Sequence, residues 1–345
     1  MNTPRQTAQR GAALISAMLV VSLVATLASA ALWQQWRHVE VESAERHRVQ
    51  SSWLLNGAFD WTRLILREDA MAGVAGATLT SGSGQMSATG GIDHLGEPWA
   101  LPLKEAKLST FLAQDQQMRE GDPEVFLSGQ VADAQGRINL SNWVEVSGGS
   151  GPARLSLSMQ LSMGRLFDVL GLPSAELDAL AREWLAASQN PRPAGASLRP
   201  QQVTQLQWLG LSPASLQRLQ PHLSILPEAT PLNLNTASAE VIYAALPGLS
   251  LSAAQQFVQY RAKTPLTNLS DAAQALGLKT LASSQFALGS RYFEVWGRLR
   301  MEDRIQEETA LILRDAGNTR FVWRQKIAGI RPPPNQESLL QSSQP

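Results

Sequence analysis

GAALISAMLVVSLVATLASAALW, residues 11–33, contains no charged side chain, and the uncharged run extends from Arg10 to Arg37. At roughly 1.5 Å per residue it makes about 35 Å of helix, enough to cross a hydrocarbon core about 30 Å thick. Arg5 and Arg10 precede it with no acidic residue before them. The positive-inside rule therefore places the short N-terminus in the cytoplasm and everything after Trp33 outside, which in a bacterium is the periplasm. Trp33 and Trp36 stand where an aromatic interface belt is expected.

Three readings of this start compete. A secretory signal would combine the basic start with Ala28-Ser29-Ala30 as a small-residue cleavage site. A plain anchor would simply remain. A prepilin-like leader would end in glycine before the apolar segment and be cut on the cytoplasmic side. Two features favour the last. Gly11 stands at the charged-to-apolar junction, and no proline interrupts Gly11 to Asp69. Beyond the apolar run Val49, Trp53, Gly57, Trp61 and Ile65 recur every fourth residue, an amphipathic stripe on a continuing helix.

Composition narrows the chemistry. The 345 residues include no cysteine, which excludes disulfides, thiolate zinc sites, iron–sulfur clusters and cysteine nucleophiles. The 29 basic and 29 acidic residues balance, which argues against a protein built around nucleic acid. His38, His47, His94 and His222 are scattered, and no HExxH, GxSxG or P-loop pattern occurs, so no enzyme is expected.

Residues 72–91 are rich in glycine, serine, threonine and alanine and read as a surface loop. Leu127–Ala132 and Arg137–Leu140 read as a strand pair joined through Asp133-Ala134-Gln135-Gly136, a common turn composition. From about Leu155 to Leu288 apolar residues fall at helical spacing, with a weak recurrence: Leu170-Gly171-Leu172, Leu209-Gly210-Leu211, Pro247-Gly248-Leu249 and Leu276-Gly277-Leu278. After Ser290 the period becomes two. Tyr292–Met301, Arg304–Arg314 and Thr319–Ile327 read as an antiparallel meander. Strands before and after a helical block imply one sheet packed on the long helix, with the helical block inserted between its strands.

Two acidic groups, Glu120/Asp122/Glu124 and Glu302/Asp303/Glu307/Glu308, offer hard oxygen ligands, so calcium is a possible but not required ligand. The sharpest local motif is residues 231–261, PLNLNTASAEVIYAALPGLSLSAAQQFVQYR, which resembles the helix-hairpin-helix of DNA-uptake and DNA-repair proteins. There a glycine-rich turn offers amides to a phosphate. Here Ser250 replaces the second glycine, no lysine follows in the turn, and 145–285 carries nine basic against eight acidic residues. Asn235–Ser238 are therefore read as a helix cap, and a membrane-anchored, periplasmic DNA-binding protein is the alternative reading of the whole chain.

Taken together, Arg10-Gly11-Ala12-Ala13-Leu14-Ile15, Glu97-Pro98-Trp99-Ala100, Asp133–Leu140 and the run from Asn233 to Gly248 resemble the type II secretion system protein K family of minor pseudopilins. The resemblance covers Arg10 to about Gly329. It implies an α+β fold: a long N-terminal helix with a pilin-like antiparallel sheet, plus an inserted all-α helical-hairpin domain. The divisions are a leader at 1–11, the long helix at 12–69 with 12–33 in the membrane, a first pilin-like part at 70–145, the helical domain at 146–288, closing strands at 289–330 and a tail expected to be disordered at 331–345. It further implies cleavage after Gly11 by the prepilin peptidase and N-methylation of Ala12. Ser16 falls at the fifth mature position, where most pseudopilins carry Glu. A carboxylate in the bilayer needs a partner, and a subunit with no predecessor needs none, so Ser16 suits the pseudopilus tip. The expected partners are minor pseudopilins I and J through the Val49-to-Ile65 stripe, other pseudopilins, the inner-membrane secretion platform and secreted substrates, with no nucleic acid. The expected place is the inner membrane, single-pass, with the bulk in the periplasm.

Overall fold

The computed structural model describes residues 10–80, 91–108, 124–146, 151–301, 304–315 and 317–327 and comprises two compact units, residues 1–56 and 57–345. Helix α1 spans Arg10–Thr80. It continues past the expected end at 69 into the stretch read as a loop, because its alanines favour helix and no proline stops it. The leader residues 1–9 and the tail at 331–345 lie outside the described residues.

In the first unit one stretch of α1 is long and apolar enough to cross a membrane. Its hydroxyls turn back onto their own helix. Ser16 Oγ donates to the Ala13 carbonyl at 3.0 Å, Ser22 Oγ to Met18 at 2.8 Å and Thr26 Oγ1 to Leu23 at 2.9 Å. Each therefore satisfies its donor without water, as a lipid environment requires. The Arg37 guanidinium lies over the Trp33 ring at 4.9 Å.

The second unit is built on a five-stranded antiparallel sheet in the order β1-β2-β9-β10-β11. Its strands are β1 (Leu103–Lys107), β2 (Val125–Asp133), β9 (Tyr292–Met301), β10 (Arg304–Asp315) and β11 (Asn318–Ile327). The three C-terminal strands match the period-two reading closely. Strand β1 has no strand signal in its sequence; it forms because the β2 edge is there to pair with. Phe59, Leu66 and Ala70 of α1 are buried, and Phe59 meets Phe321 of β11 edge-on at 6.4 Å. Arg63 donates to the Thr319 carbonyl at 2.6 Å.

The expected pairing of Leu127–Ala132 with Arg137–Leu140 is not formed. β2 pairs with β1 and β9, while β3 (Ile138–Asn139) pairs in parallel with β6 (Leu223–Ser224). The Asp133 side chain accepts the Gln135 N–H, and residues 134–136 form a short 3-10 turn that carries the chain off the sheet. Consequently Ile138, Leu140 and Trp143 belong to the core of the helical domain, which begins before the expected boundary at 146.

That domain is two similar modules. The first holds β3, the antiparallel pair β4 (Val144–Val146) and β5 (Ala153–Leu155), and β6, with helices α2 (Leu157–Val169), α3 (Ser174–Ser188) and α4 (Pro213–Leu219). The second runs from β7 (Leu232–Asn233) through α5 (Ala239–Ala245), α6 (Leu251–Lys263) and α7 (Leu269–Ala275) to β8 (Phe286–Ala287), which pairs in parallel with β7. Asparagines repeat the same work in each. Asn139 Oδ1 accepts the Ser141 N–H at 3.0 Å, and Asn233 Oδ1 accepts the Asn235 N–H at 2.9 Å. Asn142 then makes a two-bond pair with the Thr230 backbone, and Asn235 makes one with Leu266. The recurrent Gly171, Gly210, Gly248 and Gly277 all have positive φ, the left-handed helix ending that favours glycine. Trp143, Phe167, Trp184 and Phe257 fill one shared core.

Candidate functional site

Two features of the second unit carry functional meaning: the outward face of α1 and the joint between sheet and helical domain. Two residues turn a helix by about 200°, so Gly57 and Trp61 point nearly opposite to the buried Phe59. Trp61 is 57% exposed, and a Cβ added at Gly57 would meet nothing within 4 Å among the described residues. Ile65 sits next to the buried Leu66 and is half-buried accordingly. A groove of about 280 Å³ opens beside Trp61 and Ile65, walled by Leu103, Leu127 and Val131. On the first unit's part of the helix, Val49 is 52% and Trp53 70% exposed. Within the second unit the stripe thus turns Gly57 and Trp61 away from the buried Phe59, while Ile65 borders the groove beside the sheet. Its expected use by partner helices is taken up below.

The joint is a chain of buried polar groups from distant parts of the sequence. Asp133, at the end of β2, accepts four hydrogen bonds: Gln135 N–H at 2.7 Å, Asn233 Nδ2 at 2.9 Å, Thr236 Oγ1 at 2.6 Å and Ser290 Oγ at 2.6 Å. Burial pushes its carboxyl above the usual range, and these donors pull it back. Asp93 accepts the Ser290 N–H at 2.7 Å and receives Arg314 Nη2 at 2.6 Å on both oxygens. Burial raises it to about 7 against the pull of Arg314. Arg314 Nη1 reaches Asp69 of α1 at 2.7 Å, and its guanidinium lies 4.6 Å over Phe293. One arginine and two aspartates therefore tie α1, the sheet and the second module together.

Asp69, Asp93 and Glu97 bring carboxylate oxygens within 4.8 Å of one another. They do not fit calcium, because Arg314 already sits between two of them as their cation. Burial, then the charge of Asp69, also raises Glu97, which accepts the Trp99 indole N–H. Of the two expected calcium groups, only Glu124, Glu307 and Glu308 are among the described residues. Glu307 and Glu308 are consecutive strand residues and face opposite sides of the sheet. Glu308 pairs with Arg324 at 2.6 Å, and Glu307 lies 3.6 Å from Arg298. Glu124 pairs with Lys107, while Glu120, Asp122, Glu302 and Asp303 lie outside the described residues. Gly11 and Ala12 are described only as backbone in the first turn of α1.

The 231–261 hairpin turns its polar groups inward. Asn233 and Thr236 serve Asp133, and Ser238 caps α5 through the Val241 N–H. Arg261 is buried and donates to the carbonyls of Leu234 and Ala237. Arg165 donates to the carbonyls of Tyr243, Leu246 and Leu249 around the Pro247-Gly248 turn. Ser250 occupies the Ala253 N–H at the start of α6. Around the turn, the Leu249 N–H is taken by the Leu246 carbonyl, and the two arginines nearby are spent on backbone carbonyls. His222, its charged form disfavoured by burial, contacts Ser238 Oγ at 3.2 Å. Sequence reasoning read the Asn-Thr-Ala-Ser run as a cap but missed its partner Asp133, as well as Asp93 and Arg314.

An N-terminal helix long and apolar enough to cross a membrane, and an antiparallel sheet with a helical domain set between two of its strands, define a pilin-like protein. The comparisons narrow the class. The pattern of the family "Type II secretion system (T2SS), protein K" matches residues 232–289. Type II secretion system protein K of Pseudomonas aeruginosa is 30% identical, covering 95% of this chain and 96% of its own. The Klebsiella pneumoniae protein K is 26% identical over 74% of this chain and 76% of its own. The crystal structure of the GspK–GspI–GspJ complex from enterotoxigenic Escherichia coli contains a similar fold, with a TM-score of 0.50 and 16% identity over 83% of this chain and 99% of that one. The chain belongs to the type II secretion system protein K family, and its role is that of a minor pseudopilin, a structural component of type II secretion.

Proposed function

We propose that the chain sits at the tip of the pseudopilus, where it initiates or limits assembly. The observation that carries this is the helical domain itself, set into the sheet between β2 and β9. Such bulk is tolerated where no subunit lies ahead. Ser16 supports the same reading: its hydroxyl is spent on Ala13, and it offers no carboxylate to a preceding subunit. Partners homologous to the GspI and GspJ of the related complex would seat their helices on Val49, Trp53, Gly57, Trp61 and Ile65. Gly57 would let a partner backbone approach between the two tryptophans. Other pseudopilins, the inner-membrane platform and secreted substrates complete the set of contacts, and the chain works without a catalytic centre or nucleic acid. Calcium, if the family uses it here, requires ligands other than the Asp69, Asp93 and Glu97 trio.

Processing by the prepilin peptidase after Gly11, methylation of Ala12, insertion in the inner membrane and a periplasmic bulk follow from the same reading. Gly11→Ala tests it directly. Co-expression with the prepilin peptidase should shorten the wild-type chain by its leader and leave the variant at full mass. Equal masses for both would end the prepilin reading. Cross-linking through cysteines placed at 53 and 61 should capture the I- and J-type pseudopilins, and capture of a major pseudopilin alone would contradict the tip position.

A further inference from the structure

A cleft of about 410 Å³ lies between the sheet face turned away from α1 and the 201–226 segment of the first module. Leu226, Leu311 and Trp323 form apolar walls, and Gln202 and Gln325 bridge its rim at 2.6 Å. The charges at one end, Arg137 and Glu294, neutralise each other at 2.6 Å. Two buried polar atoms of lining residues have no partner among the described residues: Ser224 Oγ, on a residue 5% exposed, and Trp323 Nε1. Buried polar groups of this kind are uncommon unless something bonds to them. Lys326, 3.9 Å from Glu308, is the further charged lining residue, and the rest is aromatic on one side and rich in side-chain amides. That chemistry suits a polyproline-II peptide, whose rings pack on an indole and whose carbonyls have no internal hydrogen bond.

Trp323, Gln325 and Ile327 alternate along β11 and all line the cleft. The chain therefore leaves from the cleft wall at Ile327, with residues 328–345 still to follow: AGIRPPPNQESLLQSSQP. Gly329 permits a reversal of direction. From Ile327 back to Trp323 is about 13 Å of strand, and the five residues Arg331–Asn335 span about 15 Å in polyproline-II form. We propose that this cleft is a polyproline-II peptide site and that the chain's own Arg331–Asn335 segment occupies it. A tether this short acts at an effective concentration in the millimolar range, so a free-peptide Kd of ~0.1 mM keeps the cleft about ten-to-one filled.

The test uses the full chain in detergent micelles beside a chain ending at Ile327. The probe is a fluorescein-labelled peptide of residues 328–345, read by anisotropy. The shortened chain should bind it, and the intact chain at least tenfold more weakly. Replacing Pro332, Pro333 and Pro334 of the peptide by alanine should cost at least tenfold. Trp323→Phe in the shortened chain keeps an aromatic ring and should weaken binding severalfold with an unchanged circular dichroism spectrum. No binding to the shortened chain would overturn the proposal. So would equal binding to both chains, which would leave the cleft to a partner's segment, or equal binding of the alanine peptide.

Discussion

Replacing Asp133 by alanine should unlock the helical domain from the sheet. The side chain accepts four hydrogen bonds, from residues 135, 236 and 290 at 2.6–2.7 Å and from Asn233 at 2.9 Å. At a net ~1 kcal/mol each, more for bonds to a charge, their loss amounts to about 4 kcal/mol. Removing a buried carboxylate also removes its desolvation cost, which offsets the extra worth of bonds to a charge. With about 2–4 °C per kcal/mol for a unit of this size, thermal unfolding should fall by roughly 8–16 °C. The assay is circular dichroism melting of the full chain in detergent at pH 7.5. Asp133→Asn is the second arm. It keeps one acceptor oxygen but sets an amide against Asn233 Nδ2, and should lose about half as much. A drop under ~1 kcal/mol for Asp133→Ala would show that the donors find other partners. An Asn variant as stable as wild type would show that the carboxyl is protonated, and the charged joint would be refuted.

Gly136→Ala should loosen the same joint from the other side. An added Cβ would lie 2.6 Å from Thr236 Oγ1, so a drop of roughly 2 kcal/mol is expected in the same melt; Ser290→Gly removes one of the Asp133 donors without a clash and should cost less. Stability should also fall as pH rises. Asp93 titrates at about 7 when folded and near 3.8 when unfolded, so the folded chain binds the extra proton between those values. Its contribution is therefore full below about pH 4 and gone above about pH 7, a span on the order of 4 kcal/mol. Asp93→Asn should flatten the dependence of melting temperature on pH between 5 and 8, and an unchanged slope would contradict the assignment. On the outer face of α1, Trp53→Ala and Trp61→Ala should each weaken co-purification with partner pseudopilins. Covering a tryptophan that exposes about 60–70% of its surface is worth roughly 3 kcal/mol, or about a hundredfold in affinity. Neither should change the melting temperature of the chain alone by more than a degree or two.

The C-terminal strands were legible because their apolar residues alternate and their turns are polar. The long helix was legible from its missing prolines. What the pattern hid was which face of that helix holds the sheet. Val49 to Ile65 and Phe59, Leu66 and Ala70 are both apolar series at helical spacing, and only the folded sheet distinguishes them. Strand β1, LKEAK, is composed of helix formers and owes its state to an available edge. The Asp-Ala-Gln-Gly turn was visible, but a turn does not say whether the chain returns to the same sheet. Here it departs, and β3 joins β6 instead. The joint was least visible, since Asp133 and Asn233 lie far apart in sequence. One signal was present: Asn233 stands in the apolar run Leu232-Asn233-Leu234, and a polar residue there predicts a buried partner.

β2 and β9 are antiparallel neighbours, with Asp133 opposite Phe293, so the whole helical domain stands where a hairpin would have its turn. This has a kinetic consequence. Closing a loop of about 160 residues instead of four costs roughly 3 kcal/mol more in chain entropy. The cost vanishes once the domain has folded and brought its ends together, as the Arg291 N–H on Gln135 Oε1 at 2.6 Å now does. The two modules should therefore form early and template the central strand pair. The order of events during biogenesis then runs from the middle of the sequence outward, with the sheet that meets α1 completed last.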